Sequence, residues 1–233
     1  MNLNDAKVLV TGGSSGIGLE TARLLISKGA KVAICGRDER KLKAAAESVG
    51  ALPVRADVSV EADVIALINQ VISALGDYNV LINNAGYGYF APLMEIELAD
   101  FQKLFATNVA GAMLVARESA RYFVKRNTGN IVNISSTAGQ RGYAGGTAYS
   151  ASKFALSSMT ECWRAELRKN NIRVMQVNPS EVITDFFTVA GRSQTPSERK
   201  LRSLEIAHTI AAMLEMDDRG FTTEATVWAT NPD

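Results

Sequence analysis

Seven short runs of apolar, mostly β-branched residues recur along the chain, with longer amphipathic stretches between them. They are KVLVTG (7–12), KVAICG (31–36), LPVRAD (52–57), NVLINN (79–84), NIVNIS (130–135), RVMQVN (173–178) and ATVWAT (225–230). The runs are nearly continuous in apolar side chains rather than strictly alternating, the pattern of strands covered on both faces. Strand and helix in alternation, joined by right-handed crossovers, predict an α/β fold: a doubly wound, seven-stranded, mostly parallel sheet with helices on both faces. No internal repeat interrupts this order, and the one polar, irregular stretch, GRSQTPSERKLRS at 191–203, reads as a mobile loop. With 233 residues and no convincing linker, residues 1–233 are expected to form one domain.

Charge narrows the partners. With 25 basic and 24 acidic residues the net charge is +1, so neither a nucleic-acid footprint nor a polybasic membrane segment is expected. No stretch approaches the roughly 18 consecutive apolar residues of a membrane span. The chain opens on MNLNDAKVLVTGG and runs into its first strand without a signal-peptide core, so a cytoplasmic protein is expected. Cys35 and Cys162 lack CxxC or metal-ligand spacing and read as small packing hydrophobes, and no metal site is expected.

The first strand feeds TGGSSGIGLETARLL (11–25), in which Gly12, Gly16 and Gly18 follow a strand and open an amphipathic helix. Glycine is needed where the backbone bends sharply and where a side chain would keep a pyrophosphate from the amides and dipole of a helix N-terminus. In that setting the sequence reads as a Rossmann-type dinucleotide-binding domain. The spacing, G-x3-G-x-G, differs from the commoner G-x-G-x-x-G.

Here the sequence resembles the short-chain dehydrogenase/reductase family, whose opening motif is TGxxxGxG. Further motifs of that family follow in its order: NNAG at 83–86, Asn108, SSTAG at 135–139, Tyr149 with Lys153, and NPSEVIT at 178–184. The resemblance covers essentially the whole chain and implies a ketone–alcohol oxidoreductase, similar to 3-oxoacyl-[acyl-carrier-protein] reductases. For the cofactor it implies contacts from Gly12, Ser14, Ser15, Gly16, Ile17 and Gly18. It adds Asn84, Ala85 and Gly86 at the fourth strand, with Asn83 beside them, where a side chain at Gly86 would crowd the cofactor. Asp57 and Val58 would meet adenine, although Asp57 reads equally as a helix cap. Pro179, Val182 and Thr184 would hold the nicotinamide, with Ser180 in place of the family's glycine.

An NAD-selective site carries an acid at the end of the second strand, whereas a 2′-phosphate calls for arginine. Gly36 occupies the acidic position and Arg37 follows it, so NADP(H) is favoured over NAD; Asp38 reads as a cap for the next helix. Ser14 adds a hydroxyl for the same phosphate. Ser15 stands where many NADP-dependent members have a basic residue.

Tyr149 and Lys153 lie four apart on one helix face, thirteen residues beyond Ser136 at the end of the fifth strand. Hydride addition to a carbonyl builds negative charge on oxygen, which requires a proton donor and a hydrogen-bond donor already in place. Tyr149 fits the first need and Ser136 the second. A cation about 4 Å away supplies roughly the 4 kcal/mol that brings a phenol to neutrality, and Lys153 is expected to be that cation. The resemblance assigns Asn108, in an otherwise helical run, a local irregularity that holds a water linking Lys153 to solvent. His208 reads as a surface or packing residue.

Residues 185–205 are expected to roof the substrate pocket, with Phe186, Phe187, Tyr143, Tyr87 and Tyr89 as apolar walls or as core. An open cleft suits a small-molecule or carrier-bound carbonyl. Lys125, Arg126, Arg168 and Lys169 read either as a docking patch for an acidic carrier or as a solvated face. The helix from 149 to 169 has more apolar positions than one face can bury, among them Phe154, Cys162 and Ala165, which predicts a homodimer or homotetramer. A non-catalytic nucleotide-binding regulator on the same fold is the alternative, though such proteins usually lose the tyrosine or the lysine.

Overall fold

The computed structural model describes residues 1–186, 190–191 and 197–231. All seven expected strands form: β1 (Lys7–Thr11), β2 (Lys31–Gly36), β3 (Leu52–Arg55), β4 (Val80–Asn83), β5 (Gly129–Ile134), β6 (Ile172–Pro179) and β9 (Glu224–Val227). They build one sheet in the order β3-β2-β1-β4-β5-β6-β9, every neighbouring pair parallel. The expectation of a mostly parallel sheet is therefore exceeded. Val8 sits opposite Val32 of β2 and Val80 of β4, so strand order reverses at β1. That reversal opens a crevice at the carboxyl ends of β1 and β4, the place where doubly wound folds bind ligands.

The helices are α1 (Gly16–Ser27), α2 (Glu39–Val49), α3 (Glu61–Leu75), α4 (Leu98–Phe105), α5 (Ala112–Arg126), α6 (Thr147–Leu167) and α7 (Ser203–Glu215). Two apolar clusters sandwich the sheet. Val8 and Val10 point to one side, against Leu25 of α1 and Ile206 and Ile210 of α7. Leu9 points to the other, against Val64 and Leu67 of α3 and Val115 and Phe123 of α5. Successive β1 residues serve opposite layers because strand side chains alternate, which is why its apolar run has to be continuous. The edge strands β3 and β9 keep exposed positions, while β5 and β6 are buried throughout.

Three expectations change. Two-residue strands β7 (Val182–Ile183) and β8 (Leu201–Arg202) pair in parallel, too short to leave a periodic signal. Leu201 is buried in the core and α7 starts at Ser203, so 201–205 belong to the scaffold rather than to a pocket roof. Phe187 and residues 192–196 of the expected loop lie outside the described residues. Cys35 is buried on β2 as expected, and burial pushes its thiol up to about 12; Cys162 is exposed on α6 and is no packing hydrophobe. His208 is exposed on α7.

Candidate active site

The glycine turn is held by its neighbours on β4. Gly12 has φ 63°, and a Cβ there would come within 2.9 Å of Ala85 Cα. Thr11 Oγ1 accepts from the amides of both Asn84 and Ala85 at 2.9 Å, and Asn84 Nδ2 donates to the carbonyls of Thr11 at 2.9 Å and Gly12 at 3.2 Å. Gly18 packs beneath the turn rather than on the cleft wall, where a Cβ would meet the Gly12 carbonyl at 2.5 Å. Ser15 is the N-cap of α1 in extended conformation, and its side chain makes no capping bond. The first-turn amides and the helix dipole are thus presented to an anion. Asn83, by contrast, turns into the core and donates to the Ala112 carbonyl and to Asn133.

At the end of β2, a Cβ on Gly36 would lie 3.4 Å from Ser14 Oγ, and Ser14, Gly36 and Arg37 line the same cleft. Asp38 caps α2, accepting from the Lys41 amide at 2.9 Å. Lys41 joins Arg37 on the cleft wall, a cation that sequence inspection did not single out. Val60, not Asp57, is the N-cap of α3. Asp57 instead accepts from the Ser59 amide at 3.0 Å and hydroxyl at 2.7 Å. Burial pushes its carboxyl up, but the Ser59 bonds together with Arg37 and Arg55 hold it below the usual carboxylate range. Asp57 and Val58 both line the cleft.

Ser136 follows β5 and caps a short 3₁₀ turn at Thr137–Gly139, its Oγ accepting from the Ala138 amide at 3.1 Å. Ser135 lies on the other side of the strand and hydrogen-bonds the Lys153 carbonyl. Tyr149, 8% exposed, packs between Phe90 and Phe186 with ring centroids 5.4 Å away in each case. Burial drives its phenol above the ordinary tyrosine value, and a hydrogen bond with Ser136 pulls in the opposite direction. Lys153, 6% exposed, donates to the Ile134 carbonyl at 2.8 Å, and its Nζ stands 5.8 Å from the Tyr149 ring centroid. Burial brings this lysine down to about 8.

The lysine expected to tune the phenol stands beside the tyrosine ring, its ammonium held by the Ile134 carbonyl. Lysine and tyrosine share the helix face as expected, and burial is the largest influence on the tyrosine's titration.

Asn108 sits in a π-helical turn, Ala106–Gly111, so the expected irregularity is real. Its carboxamide clasps Tyr87, accepting from the amide at 3.1 Å and donating to the carbonyl at 2.9 Å, and donates to Ser152 Oγ at 3.1 Å. A Cβ on Gly86 would come within 3.1 Å of Asn108 Oδ1. Within the protein, then, it is Asn108 that the missing side chain makes room for. Asn108 itself lies behind the cleft wall.

A cleft of ≈ 780 Å³ runs from Gly12 past Arg37 and Gly86 to Ser136, Tyr149 and Thr184. It unites all of the expected site residues except Gly18 and Asn108, which support it from behind. The family model for short chain dehydrogenase matches residues 6–195. The chain belongs to the short chain dehydrogenase family. It is 34% identical over 192 residues to the uncharacterized oxidoreductase YxnA of Bacillus subtilis, covering 79% of this chain and 54% of that longer protein. It is 32% identical over 217 residues to the 3-oxoacyl-[acyl-carrier-protein] reductase of Homo sapiens, covering 91% of this chain and 92% of the relative. A crystal structure of 3-ketoacyl-(acyl-carrier-protein) reductase from Brucella melitensis complexed with NADH superposes with a TM-score of 0.91 at 29% identity, over 99% of this chain and 100% of that one.

As a member of a family of nicotinamide-dependent oxidoreductases, the chain should hold a dinucleotide, and the cleft fits one. Its turn leaves no room for a Cβ at Gly12, its helix N-terminus is uncapped by Ser15, and its far end holds the buried phenol. Pro179 ends β6, its carbonyl 3.5 Å from Ser136 Oγ, while Thr184 lies across from Gly16, whose added Cβ would stand 3.4 Å from Thr184 Cγ2. Ser180 donates its amide to the Val227 carbonyl at 2.9 Å and is not among the residues of positive φ, so the backbone there does not demand the family's glycine. Tyr87 and Tyr143 line the cleft, whereas Tyr89 lies off it and accepts from the Glu97 amide. Trp228, 61% exposed, adds an aromatic wall that its place in a strand-like run concealed.

Proposed function

We propose that this chain is an NADP(H)-dependent oxidoreductase that interconverts a ketone and a secondary alcohol. The observation that carries this reading is the buried Tyr149 phenol in one cleft with Ser136 and Lys153, a cleft whose other end is an open glycine turn. Gly12, Ser14, Ser15, Gly16 and Ile17 would take the pyrophosphate. Arg37, Lys41 and the Ser14 hydroxyl would take a 2′-phosphate, with Asp57 and Val58 along the adenine, Asn84, Ala85 and Gly86 at the adenosine ribose, and Pro179, Val182 and Thr184 at the carboxamide. The bound nicotinamide supplies the hydride.

The protein's own work is proton and charge management. Tyr149 gives its phenolic proton to the carbonyl oxygen in reduction and takes it back in oxidation. Ser136 donates a hydrogen bond to the same oxygen as charge builds there. Lys153 lowers the cost of the phenolate by its charge beside the ring, and Asn108 keeps the loop at Tyr87 in place behind it. Phe90, Tyr143, Phe186 and Trp228 favour a substrate with an apolar body. The relatives' names suit a carrier-bound 3-oxoacyl thioester.

The test is NADPH oxidation followed by absorbance, with NADH in parallel, against a 3-oxoacyl thioester, a diketone, a cyclic ketone and a sugar ketone. The proposal expects turnover of at least one ketone, faster with NADPH. Tight NADPH binding without turnover of any ketone would move the weight to a nucleotide-binding regulator.

A further inference from the structure

A second cavity of ≈ 460 Å³ opens between α6, the turn at Gly139–Gln140, Gln176 of β6 and the start of β9 at Glu224. Gln176, 3% exposed on β6, forms part of its wall. Its Nε2 donates to Asn178 Oδ1 at 2.9 Å and to Ser157 Oγ at 3.0 Å. Ser157 Oγ in turn donates to the carbonyl of Lys153 at 3.1 Å, one helical turn back.

The direction of this relay is imposed from its far end. Buried Asn178 donates its Nδ2 to the Glu224 carboxylate, a group that can only accept. Asn178 must therefore turn its oxygen towards Gln176, and Gln176 must answer with its amide nitrogen. The Gln176 Oε1 is left buried without a partner among the described residues. Flipping the amide would set two acceptors face to face, so the orphan oxygen is the cost of the orientation. A side chain kept for packing alone would do better as an apolar residue of the same shape.

We propose that Gln176 is a positioning residue for the catalytic lysine: it keeps Ser157 as a donor to the Lys153 carbonyl and so fixes the turn of α6 from which the ammonium reaches towards Tyr149. Lys153 is then held at its carbonyl by Ser157 and Ser135 and at its tip by the Ile134 carbonyl. This deepens the functional reading above and rests on it.

The test uses the full chain with NADPH and a ketone that the unaltered protein reduces. Gln176→Met and Ser157→Ala should each lower kcat about tenfold, with KM for the ketone and NADPH affinity by fluorescence within about twofold. The Tm of Gln176→Met should change little, because the unpartnered Gln176 oxygen is removed while the buried Asn178 oxygen loses its donor. The double variant should be no slower than the slower single, since both break one relay. A kcat within about twofold of the unaltered protein, multiplicative losses in the double variant, or a loss matched by a fall in Tm would overturn the proposal. Ser157→Ala reads the relay from its other end should Gln176→Met fail to fold, and an unchanged kcat there overturns it equally. Turnover lost in Tyr149→Phe but kept in Gln176→Met defeats the positioning role alone, whereas turnover surviving in Tyr149→Phe defeats the functional reading beneath it.

Discussion

Lys153 carries its ammonium into a site only 6% exposed, and burial alone lowers it to about 8. The unfolded chain, with an ordinary lysine, binds more protons than the native one between about pH 8 and 10.5. Stability contributed by this group therefore rises with pH across that window, and below it the buried charge costs up to ~3 kcal/mol. Lys153→Met should melt several degrees above the unaltered protein at pH 7, with the gap closing by pH 10; calorimetry across that range checks it. At the other end of the cleft, Gly36 leaves room for a side chain against Ser14. Gly36→Asp should shift coenzyme preference towards NADH and Arg37→Ala should weaken NADPH roughly ten- to a hundredfold with little change for NADH, read by fluorescence titration. Most of these residues were legible from type and spacing. The hold of the Ile134 carbonyl on the Lys153 ammonium was not, because a shared helix face fixes neighbourhood and leaves side-chain reach to the tertiary fold. Lys41 escaped for a related reason: it belongs to the cleft only because α2 starts, under the Asp38 cap, beside Arg37.

Among the elements, the π-turn at Ala106–Gly111 shows how one polar residue reshapes a helix. Asn108 is a poor helix former, and here its carboxamide does the work of a strand partner for Tyr87. Asn108→Ala leaves that amide and carbonyl without their partner, at about 1–3 kcal/mol. The expected result is a lower Tm with lost hydrogen-exchange protection at Tyr87, and an unchanged Tyr87 amide would contradict it. The seven strands were readable because buried parallel strands need unbroken apolar runs. Several of their carboxyl ends were overread, by up to three residues, as at ATVWAT, where β9 stops at Val227, and at LPVRAD, where pairing stops at Arg55 and Asp57 turns away to bind Ser59. The two-residue pair β7–β8 carries no period at all and emerges only from tertiary packing around Leu201.

For the whole molecule, an apolar surface on α6 is left uncovered by the described residues. On α6, Phe154 is 45% exposed, with Cys162 and Ala165 also exposed on the same helix. This is the excess of apolar positions that the sequence of the helix displayed, and it predicts assembly through α6. Light scattering should find a dimer or tetramer, and Phe154→Glu should reduce its mass; a monomeric unaltered protein would refute the expectation. Tyr149 is the proposed proton donor, at the end of a cleft that also holds Ser136 and the α6 lysine. The most direct test of that role is the NADPH-dependent reduction rate of Tyr149→Phe at saturating ketone, beside an NADPH binding titration. The prediction is a fall of about 10²–10⁴ in kcat with NADPH affinity retained. Reduction at the unaltered rate by a Tyr149→Phe protein that still binds NADPH would contradict it.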